Sequence, residues 1–145
     1  MEKKKIIQFA NENPVCFLGT IQDDKPHVRA VMLWYADESG FYFETLAPKD
    51  MSKQLHKNQN VEICFYNQPS ELMDATEMRL SGKIEFIEEQ DLIDKAYEER
   101  KFLEDLAGVP IKKHLEVFRL SHGDAHFWNI KTDVMKEPEL EHLAF

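Results

Sequence analysis

A chain of 145 residues fits one domain with a hydrophobic core of its own. Its formal net charge of −9 excludes a general nucleic-acid-binding surface, which needs a basic footprint to replace counterions on phosphate, and it disfavours docking on an anionic membrane. Apolar residues at 43% and charged residues at 31% are ordinary for a globular domain, and no apolar run approaches the length of a membrane span.

In chain order, the stretch Met1-Glu2-Lys3-Lys4-Lys5 is basic, but Gln8, Asn11, Glu12 and Asn13 follow it, so no secretory apolar segment is expected. Residues 4 to 12 read as a short amphipathic helix with Ile6, Ile7, Phe9 and Ala10 on its buried side, ended by Pro14. Val15 to Ile21 is an apolar strand and Gln22 to Pro26 a turn. His27 to Tyr35 is a second strand, Asp37 to Gly40 a second turn, and Phe41 to Thr45 a third strand. Pro48 to Lys57 reads as a short helix, and Val61 to Tyr66 and Met78 to Ile87 alternate as strands. Glu88 to Leu106 reads as one long helix, opened by Glu88, Glu89 and Asp91 and stopped by Gly108 and Pro110. Glu116 to Leu120 and Ala125 to Ile130 are the last strands, and the charged tail from Lys131 is expected to be peripheral. Successive short strands with tight turns imply a mainly β domain with flanking helices, a small antiparallel barrel or sandwich. No glycine-rich loop of the Rossmann or P-loop kind is present.

Cys16 and Cys64 lie in apolar runs and read as free, buried thiols of a reduced, cytoplasmic protein. The histidines His122 and His126 flank a turn with no further ligand in view, so no metal site is expected. No nucleophile elbow or triad spacing stands out.

Two segments draw attention. His27 to Tyr35 is apolar on both faces, so both should be covered, and Arg29 lies within it. A guanidinium in a covered surface needs an anion, either a protein carboxylate or a ligand, or else a path to solvent. The second segment is Thr45 to Leu55, where a strand end runs into a helix start with Lys49 and Lys53 one turn apart. That pattern is either a solvated charged face or a phosphate cradle. Phe127-Trp128 reads as a core or interface aromatic pair, or as a contact to a planar ligand.

The order of Cys16-Phe17-Leu18-Gly19-Thr20, Pro26 to Val31, Gly40 to Thr45, Lys53-Gln54-Leu55, Val61 to Tyr66, Met78 to Gly82 and Phe127-Trp128 resembles the pyridoxamine-phosphate-oxidase-like flavin-binding family over about residues 5 to 130. The resemblance implies a split β-barrel, a Greek-key-like antiparallel barrel, that forms a homodimer and holds FMN at the subunit interface. It implies that Arg29, Ala30, Val31 and Met32 form the strand edge beside the flavin, that Thr45, Lys49, Lys53 and Gln54 surround the phosphate, and that Trp128 contacts the flavin across the dimer. Where the true oxidases follow the threonine with a Ser-Arg-Lys run, this chain has Pro48-Lys49-Asp50-Met51. Where they carry an Arg-Leu-His-Asp-Arg type segment for the pyridoxine substrate, it has Lys131-Thr132-Asp133-Val134. Oxidation of pyridoxamine phosphate is therefore not expected. The expectation is FMN-dependent reduction of a small organic acceptor, with NAD(P)H as a candidate electron donor and His27 or Tyr35 as a proton donor. The alternatives are a non-catalytic flavin store or redox sensor, a relative that binds haem or a deazaflavin, and a ligand-free interaction domain.

Overall fold

The computed structural model describes residues Met1–Phe145. Helix α1 (Lys3–Glu12) buries Ile6 and Ala10 and leads into the hairpin of β1 (Val15–Gln22) and β2 (Lys25–Met32). The hairpin closes on Asp23 and Asp24, both at positive φ (52° and 60°), as a two-residue turn that matches the strand twist requires. Then come β3 (Tyr35–Asp37), β4 (Gly40–Leu46), α2 (Asp50–Lys57), β5 (Asn60–Tyr66), β6 (Thr76–Lys83) and β7 (Glu85–Phe86). Helices α3 (Gln90–Arg100) and α4 (Leu103–Ala107) follow, then β8 (Leu115–Leu120), β9 (Gly123–Asn129) and β10 (Leu143–Ala144).

All pairings are antiparallel, in two sheets: β10-β9-β6-β5-β1-β2 and β3-β4-β8-β7. Between the inner faces lies a core of 19 buried residues that includes Leu18, Phe41, Phe43, Ile63, Phe65, Met78, Leu80 and Phe118, with Ile6, Met51 and Leu55 from the helices. The two sheets do not close into one ladder, so the barrel is split, and β2 is an edge strand with β1 on one side and no strand on the other.

Two segments expected to be single strands are each divided between the sheets. The stretch 27–35 leaves the large sheet after Met32. The Leu33 N–H then donates to Pro14 O (2.8 Å) and the Trp34 N–H to Tyr42 O (2.9 Å), which carries Tyr35 into the small sheet. The stretch 78–87 makes the same move at Ile84, whose N–H donates to Gln59 O (2.9 Å). Neither Leu33-Trp34 nor Ile84 is a glycine or proline, so neither corner is marked by a residue that breaks a strand. The expected long helix is also interrupted. At Lys101–Phe102 it tightens into turns, with the Glu104 N–H on Lys101 O (3.0 Å), and α4 ends at Gly108 in the left-handed conformation (φ 71°). The tail from Lys131 is not loose at its end. Leu143 pairs with Ala125, and Phe145 packs edge-on against Phe41 with ring centroids 5.5 Å apart.

Candidate functional site

Because β3 is only three residues long, the edge of β2 and the far end of β4 stand apart without a strand between them. The gap is a cavity of about 310 Å³, at the small end of the range for ligand sites. Ala30, Val31 and Met32 form one wall from the β2 edge. Glu44, Thr45 and Leu46 of β4, with Leu115 of β8, form the floor. Lys49 and Met51 enter from the start of α2, and Arg100, Phe102 and Leu103 from the α3–α4 bend. The interruption of the helix is what turns Phe102 and Leu103 toward the opening.

The cavity is apolar apart from a few charged and hydroxyl groups. Lys49 and Arg100 bring two positive charges against one carboxylate, Glu44. Glu44 pairs with Arg100, and its side chain is only 10% exposed. Burial pushes the Glu44 carboxyl above its ordinary value, and the hydrogen bond and charge of Arg100 oppose that rise. Glu44 Oε2 and Thr45 Oγ1 are both buried and have no hydrogen-bond partner. An orphaned buried polar atom costs about 1–3 kcal/mol, so each is a place where a ligand's donors and acceptors have most to gain. Along the wall, the outward N–H and C=O groups of β2 are those of a sheet edge, free to bind something planar and polar.

Five of the residues expected at a cofactor come together here: Ala30, Val31, Met32, Thr45 and Lys49. The other four do not line the cavity. Arg29 turns inward, donating from Nη1 to Leu18 O (3.1 Å) and Thr20 Oγ1 (2.8 Å) and from Nη2 to Gln54 Oε1 (2.6 Å). These partners are neutral, so its charge is solvated by dipoles rather than cancelled. Burial holds the Arg29 guanidinium below its ordinary value, and nearby Asp50 opposes this. Gln54 is a structural hub. It also accepts from Thr20 Oγ1 (2.6 Å) and donates to Gln22 Oε1 (3.3 Å). Lys53 projects into solvent from α2. Trp128 lies on β9, with β6, β5 and β1 between it and β2.

Of the two candidate proton donors, His27 is exposed near the start of β2, away from the cavity. Tyr35 is stacked on Tyr42 with centroids 4.5 Å apart, and burial pushes its hydroxyl up to about 12. The two thiols are free, and burial raises both to about 12, which leaves them protonated and inert at neutral pH. Glu44 and Arg100 line the cavity without having been expected there from the sequence. An acid beside the buried Phe43 was the available signal, since a buried carboxylate calls for a basic partner.

A family model described as pyridoxamine 5'-phosphate oxidase matches residues 2–129. The chain belongs to that family. Among solved structures, it is similar to a NimC/NimA family protein from Clostridium acetobutylicum, with a TM-score of 0.73 and 21% identity over 98% of this chain and 91% of that one. It is also similar to a pyridoxamine 5'-phosphate oxidase-related, FMN-binding protein from Nostoc punctiforme, with a TM-score of 0.69 and 15% identity over 99% and 95%. A third likeness is to HutZ, the haem storage protein of Vibrio cholerae, with a TM-score of 0.61 and 17% identity over 82% and 88%. At these identities the likenesses show the fold, a split barrel. No curated protein matches the sequence. No helix is long and apolar enough to cross a membrane.

Proposed function

We propose that this protein binds FMN in the gap between β2 and β4, as a homodimer, and uses it to reduce a small organic acceptor. The observation that carries the reading is the orphaned, buried Thr45 hydroxyl, in a cavity that Lys49 and Arg100 also line. The Thr45 hydroxyl would donate to the phosphate. Lys49 would offset its charge, and so would Arg100 to the extent that Glu44 releases it. The β2 edge at Ala30 to Met32 would meet the ring system with backbone groups and apolar side chains. Arg29 would act from behind that edge, its guanidinium held by Thr20 and Gln54.

The cavity of about 310 Å³ opens to solvent and is shallow for a flavin, which supports a second copy as its other wall. The outward face of the β1–β2 hairpin supports the same view. Phe17, Ile21, Val28 and Met32 lie on it, 43%, 42%, 72% and 54% exposed. Trp128, partly exposed on the outer face of the same sheet, would reach the partner's cavity rather than its own. Bound flavin supplies two-electron chemistry, and the protein supplies position, polarity and access. The departure at residues 131–134 tells against pyridoxamine phosphate as the substrate.

The test is the absorption spectrum of the freshly purified protein, the mass of any released cofactor, and titration of the stripped protein with FMN. Expected are flavin bands and one FMN per chain. Turnover of NADH or NADPH with nitroaromatic or quinone acceptors would then separate an enzyme from a flavin store. The likeness to HutZ favours haem as the second reading, and a Soret band in place of flavin bands would establish it. Colourless protein that takes up neither would sink both.

A further inference from the structure

On the opposite edge of the large sheet, the return of the tail builds a cluster that sequence spacing hides. Asp124 and His126 are two apart on β9, so they share a face. The pairing of Ala125 with Leu143 and of Asp124 with Ala144 places the next position, His142, opposite His126 on that same face. One carboxylate oxygen and one nitrogen from each imidazole all lie within 4.8 Å of one another. His142 Nδ1 lies 2.6 Å from Asp124 Oδ2, and the two imidazole rings stack with centroids 4.5 Å apart.

We propose that Asp124, His126 and His142 form a binding site for a single divalent transition-metal ion, clamping the tail to β9. Two imidazoles and a carboxylate are the donor set that suits zinc, iron(II), nickel and copper, and they leave an open coordination position. Bonds of about 2.0–2.2 Å to zinc need the three donors a little over 3 Å apart, which small side-chain rotations reach from this starting arrangement. Asp124 and His142 are 43% and 48% exposed, so an ion enters from solvent. His122 and His126, expected on either side of a turn, do not make the pair, and Gly123 and Asp124 between them belong to β9. His122 stands outside the cluster, and the second imidazole comes from the tail.

The site is independent of the flavin reading. Full-length protein stripped with a chelator is titrated with zinc by calorimetry and with cobalt(II) by visible absorption, with and without FMN. Expected are one ion per chain, cobalt d–d bands, and a metal-dependent rise in Tm. His126→Ala and His142→Ala should each weaken binding at least about tenfold, the lower bound seen even for loss of an outer-shell partner. His122→Ala should leave it unchanged. Asp124→Asn, which retains a carbonyl oxygen for His142, should weaken binding while the metal-free Tm stays near wild type, which separates lost ligation from lost folding. No uptake by the wild-type protein, or uptake that is unchanged in His126→Ala and His142→Ala, would overturn the site.

Discussion

Thr45 distinguishes a ligand site from a packing fault. Its hydroxyl is buried and has no partner, so in the free protein it destabilises rather than helps. Thr45→Val keeps the shape and removes the orphan. The expected result is a free protein as stable as wild type or up to about 1 kcal/mol more stable, with FMN affinity roughly tenfold weaker, as for a lost hydrogen bond to a charged group. Denaturant titration and flavin fluorescence read the two halves separately. Destabilisation of the free protein with unchanged affinity would remove Thr45 from the site. Arg29 makes the contrasting case. It already serves Thr20, Gln54 and the Leu18 carbonyl, so its loss would affect both fold and ligand and would assign neither.

The strand corners show where local pattern stops being informative. Pro14, the Asp23-Asp24 turn, Gly40 and Gly108 mark breaks through backbone constraints that the sequence displays, and the elements beside them lie close to where the pattern puts them. Leu33-Trp34 and Ile84 mark breaks made by tertiary hydrogen bonding, and no residue type announces them. The site follows the same division. Thr45 and Lys49 were legible where a strand end runs into a helix start, and Ala30 to Met32 only through the resemblance to the family. Arg100, Phe102 and His142 were not, because a bent helix and a returning tail deliver them across long stretches of chain. Glycines hold a third kind of corner. Gly82 pairs with Gly123 at the end of the β6–β9 ladder. A Cβ on Gly82 would sit 2.5 Å from His122 O and 2.8 Å from Leu120 Cδ1. Gly82→Ala should cost about 1–3 kcal/mol, as overpacking does. Gly19→Ala, whose Cβ would come no nearer than 3.4 Å to the Glu62 carbonyl, should be much milder. Urea unfolding of the two variants side by side checks the ranking.

The large sheet presents one outer face with two characters. Near β1 and β2 it is apolar, through Phe17, Ile21, Val28 and Met32. Near β6, β9 and β10 it is charged, through Glu77, Arg79, Asp124 and the two histidines. An exposed apolar patch on an otherwise acidic protein marks a contact surface. On the proposed homodimer, Val28→Glu should convert a dimer to a monomer by sedimentation velocity and abolish flavin uptake, while circular dichroism stays that of the folded protein. A variant that remains dimeric would move the interface elsewhere. The order of pairing also bears on how such a chain comes to exist. β4 waits for β8 and β6 waits for β9 before either sheet acquires its full set of neighbours. During synthesis, Thr45 emerges long before the Leu115 and Arg100 that enclose it with Lys49, so a nascent chain displays an unfinished floor with no cradle around it. On the proposed reading, cofactor capture and subunit pairing follow translation, and the apolar hairpin needs protection from wrong partners until then.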